Sequence, residues 1–220
     1  MTPPFDPGRR RFHRLLLGGL AATVLPSAVA AAPEWLPIMP PQFGDSPGKI
    51  EVLEFFSWGC PHCRDFNPQV SRWAQSLPRD VVFKQVPVSF GRAAWSNLAR
   101  MYYALEGIGE LQRLEEAVFA AIHDRRVNLY TEDAAAAWVG QQGVDRRRFS
   151  AAFRSFSTET RVARAEQLSR AYKVDSVPLL TVAGRYRVVS QPGRGHEADL
   201  KVADALIARA RREGVRLGGR

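Results

Sequence analysis

The sequence of 220 residues predicts an α/β protein with a central mixed β-sheet that is interrupted by an all-helical insertion. Three observations predict this class. A strand–helix–strand order fits residues 49–90, because an apolar run precedes a stretch of helical spacing and a second apolar run follows it. Residues 92–173 show no strand pattern. Two β-rich runs then return at residues 177–189.

The first 30 residues predict a signal peptide. Residues 9–14 include four arginines, residues 15–25 are apolar, and Ala28-Val29-Ala30 fits a cleavage site between small residues. Eleven apolar residues are too few to span a membrane, which takes about 20. The order Arg-Arg-Arg-Phe also resembles a twin-arginine signal, with an ordinary arginine-rich start as the alternative.

The composition is that of a globular protein, with 45% hydrophobic and 24% charged residues. The formal net charge is +9, and its arginines are scattered along the chain instead of being grouped with aromatic residues on one element. A nucleic-acid-binding protein is expected to group them. We therefore expect solvated basic helix faces and no nucleic-acid partner.

The first half of the predicted sheet follows a proline-rich extended arm at residues 31–48. The run KIEVLEFFS (49–57) reads as a buried strand that contains one acid, Glu54, and VVFKQVPVSF (81–90) reads as the next strand. Pro87 suits the end of that strand or an edge strand. Between them a helix begins at Cys60 and has apolar residues at helical spacing: Phe66, Val70, Trp73, Ala74 and Leu77. Pro61 suits its first turn, and Pro68 is expected to kink it.

The helical insertion is expected over residues 92–173, and apolar spacing places five helices in it. Thr131 and Asp145 are expected to cap two of them. The run VPLLTVAGRYRVV (177–189) then reads as two strands joined by a turn at Ala183-Gly184. A last helix is predicted over residues 196–213, and residues 215–220 are expected to form a flexible tail.

The chain has two cysteines, Cys60 and Cys63, in the stretch SWGCPHCRDFNP. A zinc site takes four ligands, and the histidines have no suitable spacing, so we expect no metal. A structural disulfide across so short a loop would restrict the unfolded chain little. A reactive dithiol fits better, because the start of a helix stabilises an anion and lowers the pKa of a thiol. We therefore expect Cys60 to be an exposed nucleophile, with His62 assisting it, and Cys63 to be the more buried, less ionised resolving thiol. A stabilised thiolate makes the disulfide form a donor, so this motif favours an oxidant.

The stretch VLEFFSWGCPHC (52–63) resembles the active-site strand and motif of the DsbA family of periplasmic thiol-disulfide oxidoreductases. Val177-Pro178 before a strand, the hairpin at Ala183–Tyr186 and the helical insertion extend the resemblance over about residues 49–214. It implies a thioredoxin-like domain made of residues 49–91 and 174–214. It also implies that Cys60, Pro61, His62 and Cys63 are catalytic, with a redox-active Cys60–Cys63 disulfide and no other cofactor.

The resemblance also implies the surroundings of the cysteines. Pro178 is expected to be cis and to lie beside them, and Val177 to offer backbone hydrogen bonds to an extended peptide. Glu54 matches a buried acid beneath the cysteines, where burial would raise its pKa and let it exchange a proton with Cys63. The alternative is a strand-end acid that faces water. Lys84 is a candidate partner for Glu54. Trp58-Gly59 departs from the family's aromatic residues before the motif, and whether this departure alters substrate preference is left open at this point.

These expectations together describe an exported, monomeric thiol:disulfide oxidase of the periplasm. Its partners would be folding exported proteins with free thiols and a DsbB-like, quinone-linked membrane protein that reoxidises it. One alternative is a disulfide isomerase or reductase, although the 18 residues between residue 30 and the first strand are too few for a dimerisation domain. Another is a peptide-binding chaperone with incidental cysteines.

Overall fold

A computed structural model of the protein describes residues 32–214, so the predicted signal peptide and C-terminal tail lie outside the described residues. The described chain contains a five-stranded mixed sheet and seven helices, which confirms the predicted fold class. The strands are β1 (Trp35–Pro37), β2 (Ile50–Phe56), β3 (Val81–Pro87), β4 (Leu179–Val182) and β5 (Tyr186–Val188).

The sheet has the order β1-β5-β4-β2-β3, so β2 lies inside it and β3 lies at one edge. Only the β2–β3 pair is parallel among these strands, because the helix α1 (Pro61–Gln75) connects them. All seven residues of β2 are buried, as expected for a strand covered on both faces. Pro87 ends the edge strand β3, where it removes no hydrogen bond between strands.

The helix α1 begins directly after Cys60, as predicted, and Pro61 occupies its first position. Pro68 lies inside α1, and the helix continues through it to Gln75. Phe66 and Val70 of α1 are buried in one hydrophobic cluster together with residues of the sheet and of the last helix, α7 (Gly195–Arg212).

Five helices follow β3 before the chain returns to the sheet, and the residues between them contain no strand in this described part of the chain. As predicted, Thr131 and Asp145 cap two of them by accepting hydrogen bonds from backbone N–H groups. The division of the chain into domains stays a prediction. Within residues 32–214, no helix is long and apolar enough to cross a membrane. The five helices are α2 (Ala93–Gly107), α3 (Leu111–His123), α4 (Glu132–Gln141), α5 (Arg146–Phe153) and α6 (Phe156–Ala171).

The segment expected to be an extended arm contributes the edge strand β1, which sequence analysis missed. Trp35–Pro37 pairs antiparallel with β5, and the Trp35 ring meets Tyr186 edge-on at 5.3 Å between ring centroids. A three-residue strand that ends in proline has no recognisable alternation, so only its pairing partner reveals it.

The β4–β5 turn is tied to the arm through Gly184. Gln42 N–H donates to the Gly184 carbonyl at 2.8 Å, and a Cβ on Gly184 would lie 1.9 Å from the Gln42 carbonyl oxygen. Gly184 also has φ +60°, a conformation that costs other residues about 1–2 kcal/mol. A side chain at this position must therefore separate two backbone segments.

Gly184→Ala is expected to destabilise the protein by about 3 kcal/mol or more, because strain at positive φ adds to a backbone clash. Gly143→Ala is the matched control. Gly143 has φ +83°, but an added Cβ there would meet no described atom within 4 Å, so only about 1 kcal/mol is expected. Urea unfolding of both variants measures the difference. Equal losses would contradict the close approach of the arm.

Candidate active site

The two cysteines lie where β2 leads into α1. The turn that joins β2 to α1 is closed by a hydrogen bond, in which Cys60 N–H donates to the Ser57 carbonyl at 3.0 Å. Cys60 is the residue that precedes the helix, and Cys63 lies in its first turn. Pro61 and His62 are exposed between them, and both cysteines are free thiols in this structure. The predicted disulfide between them therefore stays a prediction.

The surroundings of Cys60 stabilise its thiolate and lower its pKa to about 6. The largest contribution is a hydrogen bond from the Cys63 side chain, and the backbone N–H groups of Cys63 and His62 and the charge of His62 add to it. Burial acts in the opposite direction. These N–H groups are ones that the first turn of a helix leaves without a partner in the helix itself. The N–H groups of the helix start, which the sequence predicts, therefore contribute to the lowered pKa, but the Cys63 thiol contributes more, and sequence analysis did not predict that.

Cys60 is more covered than we predicted, since the residue is 6% exposed and Cys63 is 1% exposed. The expectation of an exposed nucleophile is therefore wrong. The segment that begins with Val177 comes over Cys60, and the thiol donates a hydrogen bond to the Val177 carbonyl at 3.4 Å. The Val177–Pro178 peptide bond is cis, as the resemblance implied. This hydrogen bond requires the S–H proton, so it favours the thiol form and opposes the other contacts of the sulfur.

Cys63 has the opposite electrostatic environment. Burial raises the pKa of its thiol, and the neighbouring Cys60 and the charge of Glu54 raise it further. Cys63 therefore holds its proton at the pH at which Cys60 loses one. The pair combines a sulfur that ionises near neutral pH with one that stays protonated, which is the asymmetry that thiol–disulfide exchange uses.

Glu54 is a buried acid on the central strand, with 1% of its surface exposed. The alternative of an acid facing water is therefore wrong. Burial raises the pKa of Glu54 to about 8, and the negative charge of the half-buried Glu115 adds to this rise. Gln85 Nε2 donates to a Glu54 carboxyl oxygen at 3.1 Å, which partly offsets it. Glu54 is therefore largely protonated at neutral pH.

Lys84 does not pair with Glu54, which corrects the suggested partnership. The parallel register sets Glu54 opposite Gln85 and Leu53 opposite Lys84, so Lys84 lies on the other face of the sheet. There Lys84 Nζ donates to Glu51 at 2.8 Å and to Asp45 of the arm. No described cation therefore pairs with Glu54 in residues 32–214.

Sequence analysis missed two polar residues of this site, Gln85 and His123. Gln85 is found once the register of β2 and β3 is known, since it lies opposite Glu54. His123, the last residue of α3, binds the carbonyl of Trp58 through Nε2 at 2.8 Å. A carbonyl oxygen only accepts, so Nε2 carries the proton. Nothing in the sequence around His123 indicated this contact, because it joins two elements 65 positions apart.

Comparison with known proteins identifies relatives of this chain. The sequence profile of the DsbA-like thioredoxin domain matches residues 51–196. The chain is 44% identical over 208 residues to the thiol:disulfide interchange protein DsbA of Bordetella parapertussis, covering 91% of this chain and 98% of that one. It is 37% identical over 181 residues to the protein of the same name from Pseudomonas aeruginosa, covering 82% and 85%.

Solved structures show the same relationship. The crystal structure of Pseudomonas aeruginosa DsbA has a TM-score of 0.79 and 36% identity, covering 82% of this chain and 94% of that chain. The oxidoreductase NmDsbA1 from N. meningitidis has a TM-score of 0.74 and 25% identity, covering 82% and 93%. By the profile match and by these identities, the chain belongs to the DsbA-like thioredoxin domain family.

Proposed function

We propose that the protein is a thiol:disulfide oxidase that donates a Cys60–Cys63 disulfide to other proteins. The observation that carries this proposal is the opposite shift of the two cysteine pKa values at the start of α1, with that of Cys60 lowered and that of Cys63 raised. The relatives are named thiol:disulfide interchange proteins, which supports the same reaction class.

The transfer takes two steps. A client thiolate attacks the Cys60 sulfur of the oxidised protein, forms a mixed disulfide and expels Cys63 as a thiolate. A second client thiolate then attacks the client sulfur of that mixed disulfide and expels Cys60 as a thiolate. Two client thiols lose two electrons, and the Cys60–Cys63 disulfide gains them. Cys60 is a good leaving group because its pKa is low.

Glu54 supplies the proton that Cys63 needs in the first step. Its carboxyl group is largely protonated at neutral pH, and it lies close enough to Cys63 that its charge, when it is ionised, raises the pKa of that thiol. The Cys63 thiolate takes the Glu54 proton, and Glu54 is afterwards protonated again from solvent. A buried thiolate is thereby neutralised without a cation beside it.

The direction of transfer follows from the stabilised thiolate. Lowering the pKa from 9.0 to about 6 stabilises the reduced form only above about pH 6, and this contribution is lost as the pH falls through that value. At pH 7 it amounts to about 1.4 kcal/mol, or about 30 mV for a two-electron couple. It raises the reduction potential, which makes the disulfide form a better donor.

The place of work and the partners follow from the same proposal. Residues 1–30 direct the chain out of the cytoplasm, and it works as a monomer in the periplasm, where disulfides persist. Its clients are exported proteins with free thiols, held in part by backbone groups of Val177 beside Pro178. A DsbB-like, quinone-linked membrane protein reoxidises it. The Cys60–Cys63 disulfide is the redox group, with no metal or further cofactor.

The reduction potential tests this function directly. Equilibration with glutathione buffers at pH 7, followed by alkylation of free thiols, is expected to give a potential well above the about −270 mV of thioredoxin. A value near that of thioredoxin would refute the donor function and indicate a reductase.

The variant Cys60→Ser/Cys63→Ser separates an oxidase from a chaperone. It is expected to lose all oxidation of a reduced client. If it instead retained the full effect of the wild type on client folding, the cysteines would be incidental.

The pH dependence of the potential is a further prediction. Below pH 6 reduction takes up two protons with two electrons, so the potential falls by about 60 mV per pH unit. Between pH 6 and 8 Cys60 remains ionised and one proton is taken up, so the slope is expected to fall to about 30 mV per unit. Thiolate absorbance should give a midpoint near pH 6. A constant slope of 60 mV up to pH 8 would contradict the thiolate mechanism.

Glu54→Gln is expected to stabilise the reduced protein at pH 7 by about 1–3 kcal/mol. A pKa raised to about 8 means that folded Glu54 keeps a proton that the unfolded chain loses above about pH 4.5. The wild type therefore loses stability as the pH rises from 4.5 to 8, and the variant lacks this loss. Client thiols should also reduce the Cys60–Cys63 disulfide of this variant at least about ten-fold more slowly than that of the wild type, because the proton donor to Cys63 is gone.

Glu51→Gln is the matched control for this prediction, because Glu51 is a buried acid of the same strand that faces Lys84. In this variant Lys84 loses a charge partner, and we expect the protein to be destabilised by about 1 kcal/mol. Urea unfolding at pH 4.5 and pH 7 compares the two variants. Destabilisation of Glu54→Gln at pH 7 similar to that of Glu51→Gln would contradict a neutral Glu54.

A further inference from the structure

The carboxyl group of Glu54 is held away from solvent. The residue is 1% exposed, and within residues 32–214 its one hydrogen bond comes from Gln85 Nε2 at 3.1 Å. Gln85 is half-buried on β3, at the edge of the sheet, so its amide stands between the buried acid and the surface. The groups around Gln85 therefore decide how the proton of Glu54 is held.

A second acid, Glu115 of α3, lines the same surface grooves as Gln85. Both side chains line a groove of about 520 Å³ that α1, β3 and α3 enclose, and both also line a smaller one of about 390 Å³. The exposed Gln112 borders the two grooves, so both are open to solvent. Glu54 lines neither of them. Water therefore reaches Glu115, while Glu54 lies behind Gln85.

The carboxyl group of Glu115 is short of hydrogen-bond donors. Its Oε1 atom is buried and has no hydrogen-bond partner among residues 32–214. Burial raises the pKa of Glu115, and the Gln85 amide beside it offsets part of this rise. Glu54 is more fully enclosed than the half-buried Glu115, so burial opposes ionisation of Glu54 more strongly. Of the two acids, Glu115 loses its proton first.

The other ionisable groups of these grooves do not neutralise that charge. Two charged side chains of the larger groove are exposed, so solvent screens them: Arg72 of α1 and Glu116 of α3. Glu106 of α2 lines the smaller groove and is paired with Arg161. Burial holds the pKa of Tyr102 well above its ordinary value, so this phenol is neutral. The charge of Glu115 therefore acts on Glu54, whose pKa it raises.

We propose that Glu54 and Glu115 form a coupled pair that retains one proton, with Glu115 as the positioning residue that keeps this proton on Glu54. Two carboxyl groups beside one amide do not both ionise readily, so the one in the groove takes the charge and the enclosed one stays neutral. The proton thus stays where the Cys63 thiolate needs it. When Glu54 gives it up, two carboxylates face each other, and their repulsion favours uptake of one proton from groove water.

This inference rests on the proposed oxidase function and adds a limit to it. Glu115 sets the upper pH to which Glu54 remains a proton donor, and therefore the pH above which the disulfide is given more slowly.

The first test titrates the Glu54 carboxyl carbon by NMR in the oxidised protein, with Glu54→Gln identifying its signal. The wild type is expected to show a midpoint near pH 8. In Glu115→Gln the midpoint is expected to fall by about one pH unit, because the like charge is gone while the side chain keeps its shape. Glu116→Gln is the matched control. It removes an exposed charge from the same groove and should keep the wild-type midpoint.

Gln85→Leu provides a test of opposite sign. It removes the donor that favours the Glu54 carboxylate, so the midpoint is expected to rise above that of the wild type. A variant that only loosened the packing would admit water to Glu54 and lower the midpoint. Shifts in opposite directions for Gln85→Leu and Glu115→Gln therefore separate the electrostatic effect from a structural one.

The second test follows the rate at which a cysteine peptide reduces the oxidised protein between pH 6 and 10. Divided by the thiolate fraction of the peptide, the rate constant is expected to fall with a midpoint near pH 8 in the wild type. In Glu115→Gln this midpoint should lie about one unit lower, as in the NMR titration.

An NMR midpoint that is unchanged in Glu115→Gln, or that falls equally in Glu116→Gln, would overturn the pair. A rate midpoint that stays the same while the NMR midpoint falls would overturn its part in disulfide transfer. Failure of the oxidase function is distinct from both, because the wild type would then leave the peptide reduced at every pH.

Discussion

The chemistry of this protein depends on where one negative charge is stable. The start of α1 offers N–H groups to the Cys60 sulfur, and the Cys63 thiol adds a hydrogen bond, so the charge rests on Cys60. The same arrangement keeps the charge off Cys63, because burial and the neighbouring Cys60 oppose a second anion there. A proline at the first helical position leaves the N–H groups of His62 and Cys63 as the available donors, since proline has none.

The sheet buries an acid, Glu54, near these cysteines, and this burial lowers the stability of the fold. Strand β2 is buried throughout, so Glu54 remains neutral at pH 7 and its ionisation is opposed by burial and by Glu115. A leucine at that position would give a more stable strand. The Gln85 amide donates to one carboxyl oxygen and lowers the pKa of Glu54, but because it contributes no charge it offsets the effect of burial only in part. Lys84, one position earlier, would lower it, and the alternation of strand side chains directs Lys84 to the opposite face.

Local features of this site were predictable from the sequence, and features that depend on long-range packing were not. The helix start at Cys60, the role of Pro61 and the unequal cysteines follow from residues within one turn. The cis peptide bond before Pro178 and the burial of Glu54 followed from the family resemblance. The partner of Lys84 depends on strand register, the covering of Cys60 depends on a segment 117 positions away, and the approach of Glu115 to Gln85 depends on how α3 packs. None of these three relations leaves a pattern in the sequence near the residues involved.

The hydrogen bond between Cys60 and Val177 links the chemistry to client binding. It exists only while Cys60 carries a proton, and a disulfide or a thiolate has none to donate. In the oxidised protein the Val177 carbonyl therefore loses this donor, and under the proposed function the backbone N–H of an extended peptide would replace it. The low pKa of Cys60 has the same effect after transfer, since the thiolate formed above about pH 6 does not compete for the carbonyl. Under the proposed function, the carbonyl beside Pro178 would thus be open to a peptide in the state that gives the disulfide, whereas in the reduced protein the Cys60 thiol donates to it below about pH 6.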